Sequence, residues 1–495
     1  MPSPSFDRYP YGIHNANTGI HAPDIRSFPE TEARSSGIRQ NTPDQRARSP
    51  QPSDVKGPSS YSAARRGVCF LRGLTLPEAT PTPTTEPGKP ARGRRSKPDT
   101  MTPLERKAAR SLASIYGLRM LGLFLILPVF SVYAQHLPMG HNKTLVGLAL
   151  GIYGLTQALL QIPLGAASDR FGRKPVMMLG LAVFAAGSFV AGASHDLYII
   201  IAGRALQGSG AISAAISAMV ADATQEHNRT KAMAMVGMTI GMSFVLSLIA
   251  GPALYDAISV PGMFILTGVL ALGAIAVVRW VVPDVPMTTH AEETQGHWAH
   301  AVFTPALLKL DFSIFVVNFL QLSMFVVLPV ALVKYAGIPL LHHWMIYLPV
   351  TIISFALAIP GIIQAEKHGH MKTVFVGAVA LLLVTMILFA LGYRSTFALI
   401  AALFLFFVAF NLMEALLPSL VSRTAPPSRK GLALGIYNTG QSLGLFAGGA
   451  VGGLLAQYAG PRTVFLVAAA IAAVWLAVAF TVKPPMRRKP QPAAA

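Results

Sequence analysis

Charged side chains are scarce in this sequence. Only 12% of its 495 residues are Asp, Glu, Lys or Arg, against about 25% in a typical soluble domain. Hydrophobic residues make up 53%, and the mean hydropathy is +0.51. Such a composition would leave a water-soluble fold with large apolar patches. The scarcity of charge therefore excludes an ordinary soluble protein and predicts one that crosses a membrane several times.

Cysteine is almost absent as well. The single Cys69 excludes an internal disulfide and any cysteine-cluster metal site. The apolar stretches hold no His cluster, no acid–base pair and no nucleophile beside a base, and His136, His195, His342 and His343 fall at their ends. We therefore expect no cofactor, no metal and no catalytic residue. A membrane-embedded enzyme is disfavoured.

Negative charge is scarcer than positive charge. The chain has 40 Lys and Arg against 21 Asp and Glu, for a formal net charge of +19. Much of this excess lies in short loops and tails beside the apolar stretches, where it sets membrane topology and attracts anionic lipid headgroups. We expect membrane lipid as a partner and no nucleic acid.

Twelve apolar runs are long enough to cross a bilayer, which takes roughly 20 residues each. Six precede and six follow a polar segment. The fold is predicted to be all-α, a polytopic membrane protein with twelve transmembrane helices in two six-helix halves. The predicted spans are 109–136, 143–165, 174–193, 197–221, 231–255, 261–282, 310–333, 341–364, 372–392, 396–421, 430–457 and 461–482.

The chain divides at changes of composition. Residues 1–100 are basic and rich in Pro and Ser, and cannot bury a core. We expect translation to start at Met101, with a disordered cytoplasmic tail as the alternative. The remaining predicted parts are the first half 101–282, a cytoplasmic linker 283–309, the second half 310–482 and a cytoplasmic tail 483–495.

The two halves repeat a short pattern. Ile162-Pro163 stands six residues before Asp169, and Ile359-Pro360 stands six before Glu366. Repeated halves are predicted to form two pseudo-symmetric bundles. Glycines spaced by four residues also predict faces along which helices approach closely; they are Gly440, Gly444, Gly448 and Gly452 in the eleventh span and Gly147 and Gly151 in the second.

Residues 161–175 form a polar, basic turn between the second and third spans. Basic turns lie in the cytoplasm by the positive-inside rule, and an even number of spans then places both termini there. Six residues of the turn resemble the G-x-x-x-D-R-x-G-R-K signature of the major facilitator superfamily of secondary transporters; they are Gly165, Asp169, Arg170, Gly172, Arg173 and Lys174.

The resemblance extends along the chain. The segment from Arg204 through Gln207 to Gly210 resembles the R-x-x-Q-G-x-G signature of the fourth span. Residues 101–482 are similar to the YajR branch of proton-linked efflux transporters, above all at 118–122, 151–157, 203–210, 228–233 and 410–418. The resemblance implies a monomeric transporter of the bacterial inner membrane that moves a small molecule by alternating access and exchanges it for protons.

Charges inside the spans are few and therefore informative, because an ionisable group in lipid is costly and usually faces a cavity or a partner. Arg119, Arg204 and Glu414 lie well inside spans. We expect proton coupling or a substrate cavity at these residues and at Gln207 and Asn411, with Glu414 as the proton carrier. A structural ion pair or polar brace is the alternative for each charge.

Two further acids, Asp222 and Asp311, sit at the cytoplasmic ends of predicted spans, where snorkelling to the interface or a preference for helix starts explains them. For Asp222 the resemblance implies more: a charge cluster with Asp169 and Arg173 when the cytoplasmic side is shut. Asp169 is expected to face the N-terminus of the eleventh span, where the helix dipole favours an anion. We interpret the cluster as a latch on that side.

The direction of transport stays open at this stage. Gly251-Pro252 resembles part of an antiporter signature, but Tyr255 and Asp256 stand where its glycine pair is expected. Proton-coupled efflux is the first interpretation. Uptake of a polar metabolite and a receptor or scaffold without transport activity are the alternatives.

Overall fold

The computed structural model describes residues 101–285, 303–426 and 430–482. All the regular structure in these ranges is helical, which confirms the predicted all-α class. The predicted extension 1–100, most of the linker and the tail 483–495 lie outside the described residues.

The helices follow the predicted order of spans. The first half comprises Pro103–Leu125 with Leu127–Tyr133 (span 1), Lys143–Phe171 (span 2), Arg173–Gly192 (span 3), Leu197–Ser209 with Ser213–Ala223 (span 4) and Glu226–Trp280 (spans 5 and 6). The second half comprises Pro305–Lys334, Trp344–Glu366, Met371–Gly392, Thr396–Thr424, Lys430–Tyr458 and Pro461–Phe480 (spans 7 to 12). Short 3-10 turns lie at Ala134–His136 and Leu340–His342.

Spans 5 and 6 together occupy Glu226–Trp280 and are two helices that meet at a kink at Ser259. Ser259 has φ 56° and ψ 176°, which interrupts the helix two residues before Pro261. Ten segments of the described chain are long and apolar enough to cross a membrane, and one of them, Lys231–Trp280, contains two crossings. The glycine-rich Lys430–Tyr458, 29 residues long, completes the twelve.

Spans 1, 5 and 7 begin five or six residues earlier than predicted, and span 5 does so at Glu226 rather than 231. Span 1 begins at Pro103 rather than 109, because Thr102 and Glu105 form a capping box: Glu105 N donates to Thr102 Oγ1 at 3.2 Å, and Thr102 N donates to Glu105 Oε2 at 2.8 Å. Span 7 begins at Pro305 rather than 310, because Thr304 Oγ1 accepts from Leu307 N at 3.4 Å. Hydropathy marks where a helix enters the apolar region, whereas the cap marks where the helix starts.

The bundle has two ends, here called the Lys143 end, where span 2 begins, and the Asp169 end, where span 2 finishes. Near the Lys143 end both halves contribute to one apolar core, which includes Phe130 and Leu150 of the first half and Phe325 of the second. Towards the Asp169 end the first half has a separate core around Phe184 and Ile216. The halves are therefore joined at the Lys143 end.

Spans 2 and 11 contact each other through glycines across the boundary between the halves. A Cβ added to Gly449 would lie 2.6 Å from the Gly147 carbonyl oxygen, and one added to Gly453 would lie 2.5 Å from that of Lys143. The four glycines that were predicted to share a face of span 11, from Gly440 to Gly452, pack on span 7 rather than on span 2. Gly440, for example, lies against the Asp311 carbonyl. Span 11 thus carries two small-residue faces, one towards each neighbour.

Candidate functional site

Arg119 lies in the middle of span 1 and is 1% exposed. Its Nη2 donates to Gln157 Oε1 at 2.8 Å, and its guanidinium lies 5.6 Å from the Tyr153 ring centroid and 5.7 Å from that of Phe184. The described residues pair no carboxylate with it. Its charge is therefore held by an amide and two aromatic faces.

Gln157 is the link from Arg119 to the second half. Its Nε2 donates to Ser442 Oγ of span 11 at 2.8 Å. One turn further along span 2, Gln161 Nε2 donates to the Gly435 carbonyl at 3.2 Å. Neither glutamine was among the predicted site residues, although an amide in an apolar span is a signal of a buried polar contact.

Arg204 of span 4 is also 1% exposed, but its contacts differ. Its Nε and Nη2 donate to the carbonyls of Ala149 and Leu150 in span 2 at 3.2 and 3.3 Å, and its Nη1 donates to Gln207 Oε1 at 2.9 Å. Gln207 Nε2 in turn donates to Ser188 Oγ of span 3 at 2.7 Å. This arrangement is that of a brace between spans 2, 3 and 4.

Glu414 lies on the face of span 10 that meets the first half. Phe407 and Phe410, seven and four residues before it, both contact Phe244 of span 5 with ring centroids 5.8 Å apart. Glu414 is partly exposed in mid-span, its side chain interacts with the Asn318 amide, and its Oε1 has no hydrogen-bond partner among the described residues.

Asn411, one turn before Glu414, makes a contact with a different helix. It is 7% exposed, and its Nδ2 donates to Ser354 Oγ of span 8 at 3.1 Å. The structure therefore does not bring the five predicted cavity residues into one cluster. Arg119 and Arg204 lie in the first half, Glu414 lies in the second, and no ion pair joins either arginine to Glu414 in the described parts.

At the Asp169 end a charge cluster surrounds Arg173. Its Nε lies 3.1 Å from Asp222 Oδ2, and its Nη1 donates to Ser168 Oγ at 2.8 Å and pairs with Asp169. Gly172 joins spans 2 and 3 with φ 98°, a conformation that favours glycine. The Arg173–Asp222 pair thus positions the turn within the first half.

The other signature residues occupy the surroundings of this turn. Gly165 packs on span 4, where a Cβ would meet Ala214 at 3.2 Å, and Arg170 covers the Phe171 ring. Lys174 Nζ lies 2.6 Å from Asp284 Oδ1 just after span 6. The hydrogen bond from Lys174 holds the pKa of Asp284 below its usual value.

The predicted contact between Asp169 and the start of span 11 lies outside the described residues, because 427–429 directly precede Lys430. The Asp169 side chain is 65% exposed. In the second half, Glu366 is the counterpart of Asp169 in the repeat. Its Oε1 accepts from Ser419 Oγ at 2.9 Å and from Arg423 Nη2 at 3.1 Å. Both halves therefore carry a charged cluster at this end.

Twelve apolar helices in two halves, with buried polar groups at their boundary, define a polytopic membrane transporter. The family model described as Major Facilitator Superfamily matches residues 112–448 and also 343–495. The chain belongs to this superfamily, whose transporters carry small-molecule substrates.

Individual relatives agree with this assignment. The chain is 45% identical to the inner membrane transport protein YajR of Escherichia coli over 390 residues, which cover 78% of this chain and 85% of YajR. It is 26% identical to the multidrug resistance protein MdtH of Cronobacter sakazakii, over 70% of this chain and 87% of MdtH. A bacterial homologue of the lysosomal transporter Spinster, crystallised in an inward-facing, occupied conformation, shares the fold with TM-score 0.62 and 12% identity, over 77% of this chain and 97% of its own.

Proposed function

We propose that this protein exports a small molecule from a bacterial cytoplasm through the inner membrane in exchange for protons, with Glu414 as the proton-carrying group. The observation that carries the proposal is the position of this carboxyl. It stands in mid-span, faces the boundary between the halves, and has no cation against it in the described parts of the chain. An ionisable group so placed is expected to exchange protons as the cavity opens and closes.

The basic residues support an orientation. Arg170, Arg173, Lys174, Arg229 and Arg423 all lie at the Asp169 end. By the positive-inside rule this end faces the cytoplasm, and both termini lie there too. In the described residues the halves share a core near the Lys143 end, and the first half has a separate core towards the Asp169 end, so we interpret the structure as an inward-facing state, closed to the outside and open towards the cytoplasm.

Alternating access then requires the contacts at the Lys143 end to separate while others form at the Asp169 end. Besides the glycines, the separable contacts include Ser131 Oγ donating to the Phe325 carbonyl at 2.9 Å and Lys143 N donating to Gln457 Oε1 at 2.8 Å. All of these lie within one chain. We therefore propose that a monomer, surrounded by lipid, is sufficient for transport.

Aromatic side chains at the boundary favour export of an amphiphilic molecule over uptake of a polar metabolite. Phe244 of the first half contacts Phe124 at 5.1 Å and Phe325 at 6.4 Å between ring centroids, in addition to the two phenylalanines of span 10. These rings are packed against one another in this state, and once the halves separate they would bind apolar and aromatic groups better than a sugar or an amino acid. The name of the relative MdtH, a multidrug resistance protein, points the same way.

The test uses the purified full chain in liposomes with an imposed pH gradient and a panel of amphiphilic compounds, starting with ethidium. We expect compounds to move against the proton flow. Glu414→Gln should reduce the response to the gradient at least tenfold, while exchange of compound without a gradient persists. Glu366→Gln is the matched control, because Glu366 is a carboxyl of the same half at a span end. Equal proton-driven transport by Glu414→Gln and wild type would remove Glu414 from this role, and movement with the proton flow would replace export by uptake.

A further inference from the structure

A basic groove opens between the start of span 1 and the end of span 6. Its volume is about 600 Å³. The wall formed by span 1 carries Arg106, Lys107 and Arg110, whereas the wall formed by span 6 carries Val277 and Val281. No carboxyl group lines the groove in the described part of the chain. One wall is therefore cationic and the other is apolar.

The groove narrows with depth, because spans 1 and 6 come into close contact further along. A Cβ added to Gly122 of span 1 would overlap Thr267 Cγ2 of span 6. Nearer the start of span 1, Ser111 and Ser114 line the groove, and their small side chains leave it open. Their hydroxyls donate to carbonyls of their own helix, at 2.9 and 2.8 Å. The serines therefore make room without bridging the two helices.

The groove lies at the Asp169 end, at the level of the lipid headgroups. Span 6 ends at Trp280, and Asp284 just beyond it pairs with Lys174 of the signature turn. The Trp280 side chain is 77% exposed, as is typical of the aromatic belts that mark the interface between lipid and water. A ligand in the groove would thus have lipid headgroups beside it.

The three cations of the groove have no anionic partner among the described residues. Arg106 Nη2 donates to a backbone carbonyl at 3.5 Å, and neither Lys107 nor Arg110 forms an ion pair within the described ranges. Glu105, their neighbour in sequence, is buried and accepts from Gln225 N at 2.8 Å. The groove therefore carries a net positive charge.

Membrane topology alone does not explain this arrangement. The positive-inside rule accounts for the sign of the charges, but exposed cations anywhere beside a span satisfy it. Arg106 and Arg110 stand four residues apart in one helix, where like charges are destabilising. An anion between them removes this repulsion, and a guanidinium can donate two parallel hydrogen bonds to a phosphate.

We propose that this groove binds an anionic phospholipid of the leaflet at the Asp169 end. The phosphate lies against the three cations, and the beginning of an acyl chain lies against Val277. Basic pockets between transmembrane helices bind anionic headgroups in this way. The apolar wall favours a lipid over a free phosphate ion, which would leave that wall without a contact. The site is independent of the proposed proton-carrying role of Glu414.

The test measures lipid binding to the purified full chain by native mass spectrometry, with phosphatidylglycerol as the probe and phosphatidylethanolamine as the zwitterionic comparison. We expect saturable binding of phosphatidylglycerol that is about tenfold weaker in Lys107→Gln/Arg110→Gln, because each cation near a headgroup contributes to its binding. Ser114→Leu should weaken it as well, since this change fills the groove and keeps its charge. The matched control is Lys367→Gln/Lys372→Gln, which removes the same charge from exposed positions between spans 8 and 9, at the same end.

Three results would overturn the proposal. Equal weakening in the control and in Lys107→Gln/Arg110→Gln, with wild-type binding in Ser114→Leu, would show that the lipid responds only to net charge. Equal affinities of wild type for the two lipids would exclude an anionic site. Displacement of phosphatidylglycerol by inorganic phosphate alone would assign the groove to a free anion. If Lys107→Gln/Arg110→Gln loses its single gel-filtration peak, Ser114→Leu decides alone.

Discussion

Gln157 joins the two halves of the bundle by donating from Nε2 to Ser442 Oγ at 2.8 Å, while its Oε1 accepts from Arg119 at 2.8 Å. A buried guanidinium of the first half is thereby connected to the second half through one amide. When spans 2 and 11 separate, the amide must find another acceptor or stay unsatisfied in an apolar region. The position of Arg119 and the closure of the Lys143 end are therefore coupled.

Ser442→Ala tests this coupling. Removing the acceptor leaves a buried amide unpaired in the closed arrangement, which costs about 1 kcal/mol and shifts the equilibrium about fivefold towards opening at the Lys143 end. The measurement is a spin-label distance between cysteines at His141 and Tyr458, introduced after the single Cys69 is replaced. Ser209→Ala is the control, because the Ser209 hydroxyl donates only within its own helix, to Ala205 O. Equal distance distributions in the two variants would refute the coupling.

Gly449→Ala tests the close approach of spans 2 and 11. Its Cβ would lie 2.6 Å from the backbone oxygen of Gly147, which cannot move without separating the helices. We expect a lower melting temperature and a wider Lys143 end, from overpacking of about 1–3 kcal/mol. The control is Gly431→Ala in the same helix, where an added Cβ meets nothing within 4 Å. A melting temperature for Gly449→Ala as high as that of the control would show that the interface tolerates separation.

The sequence predicts the class of fold and the order of the spans because hydropathy alone specifies both. It also predicts the Arg173–Asp222 contact, through the signature turn. It cannot predict partners across the bundle, since these depend on how helices rotate about their axes. Gln157 and Gln161 were missed for this reason. The start of span 7 was predicted five residues too late because it depends on the Thr304 cap, which lies outside the apolar run.

The substitution Arg204→Lys tests whether Arg204 is a structural brace or a residue of proton coupling. Lysine keeps the positive charge but cannot supply the three donors that reach Ala149, Leu150 and Gln207, so two or more of these bonds are lost. We expect destabilisation of about 1–3 kcal/mol, read as a lower melting temperature. Proton-driven transport per folded molecule should stay within twofold of wild type. A selective loss of the response to the pH gradient, with normal melting, would instead place Arg204 in proton coupling.

Asp169→Asn tests the latch at the Asp169 end. Here Asp169 pairs with Arg173 but its side chain is 65% exposed, so it remains accessible to a further contact when this end closes. If it then meets the N-terminus of span 11, the contact is worth about 1–2 kcal/mol, or roughly a tenfold shift between states. The substitution should therefore raise the inward-facing population and slow turnover while expression stays normal. Labels across the Asp169 end report the populations. Asp284→Asn is the control, because Asp284 is 94% exposed and its ion pair with Lys174 does not involve the second half. Unchanged populations in Asp169→Asn would refute the latch and leave the charge cluster with a role in topology and in packing of the turn.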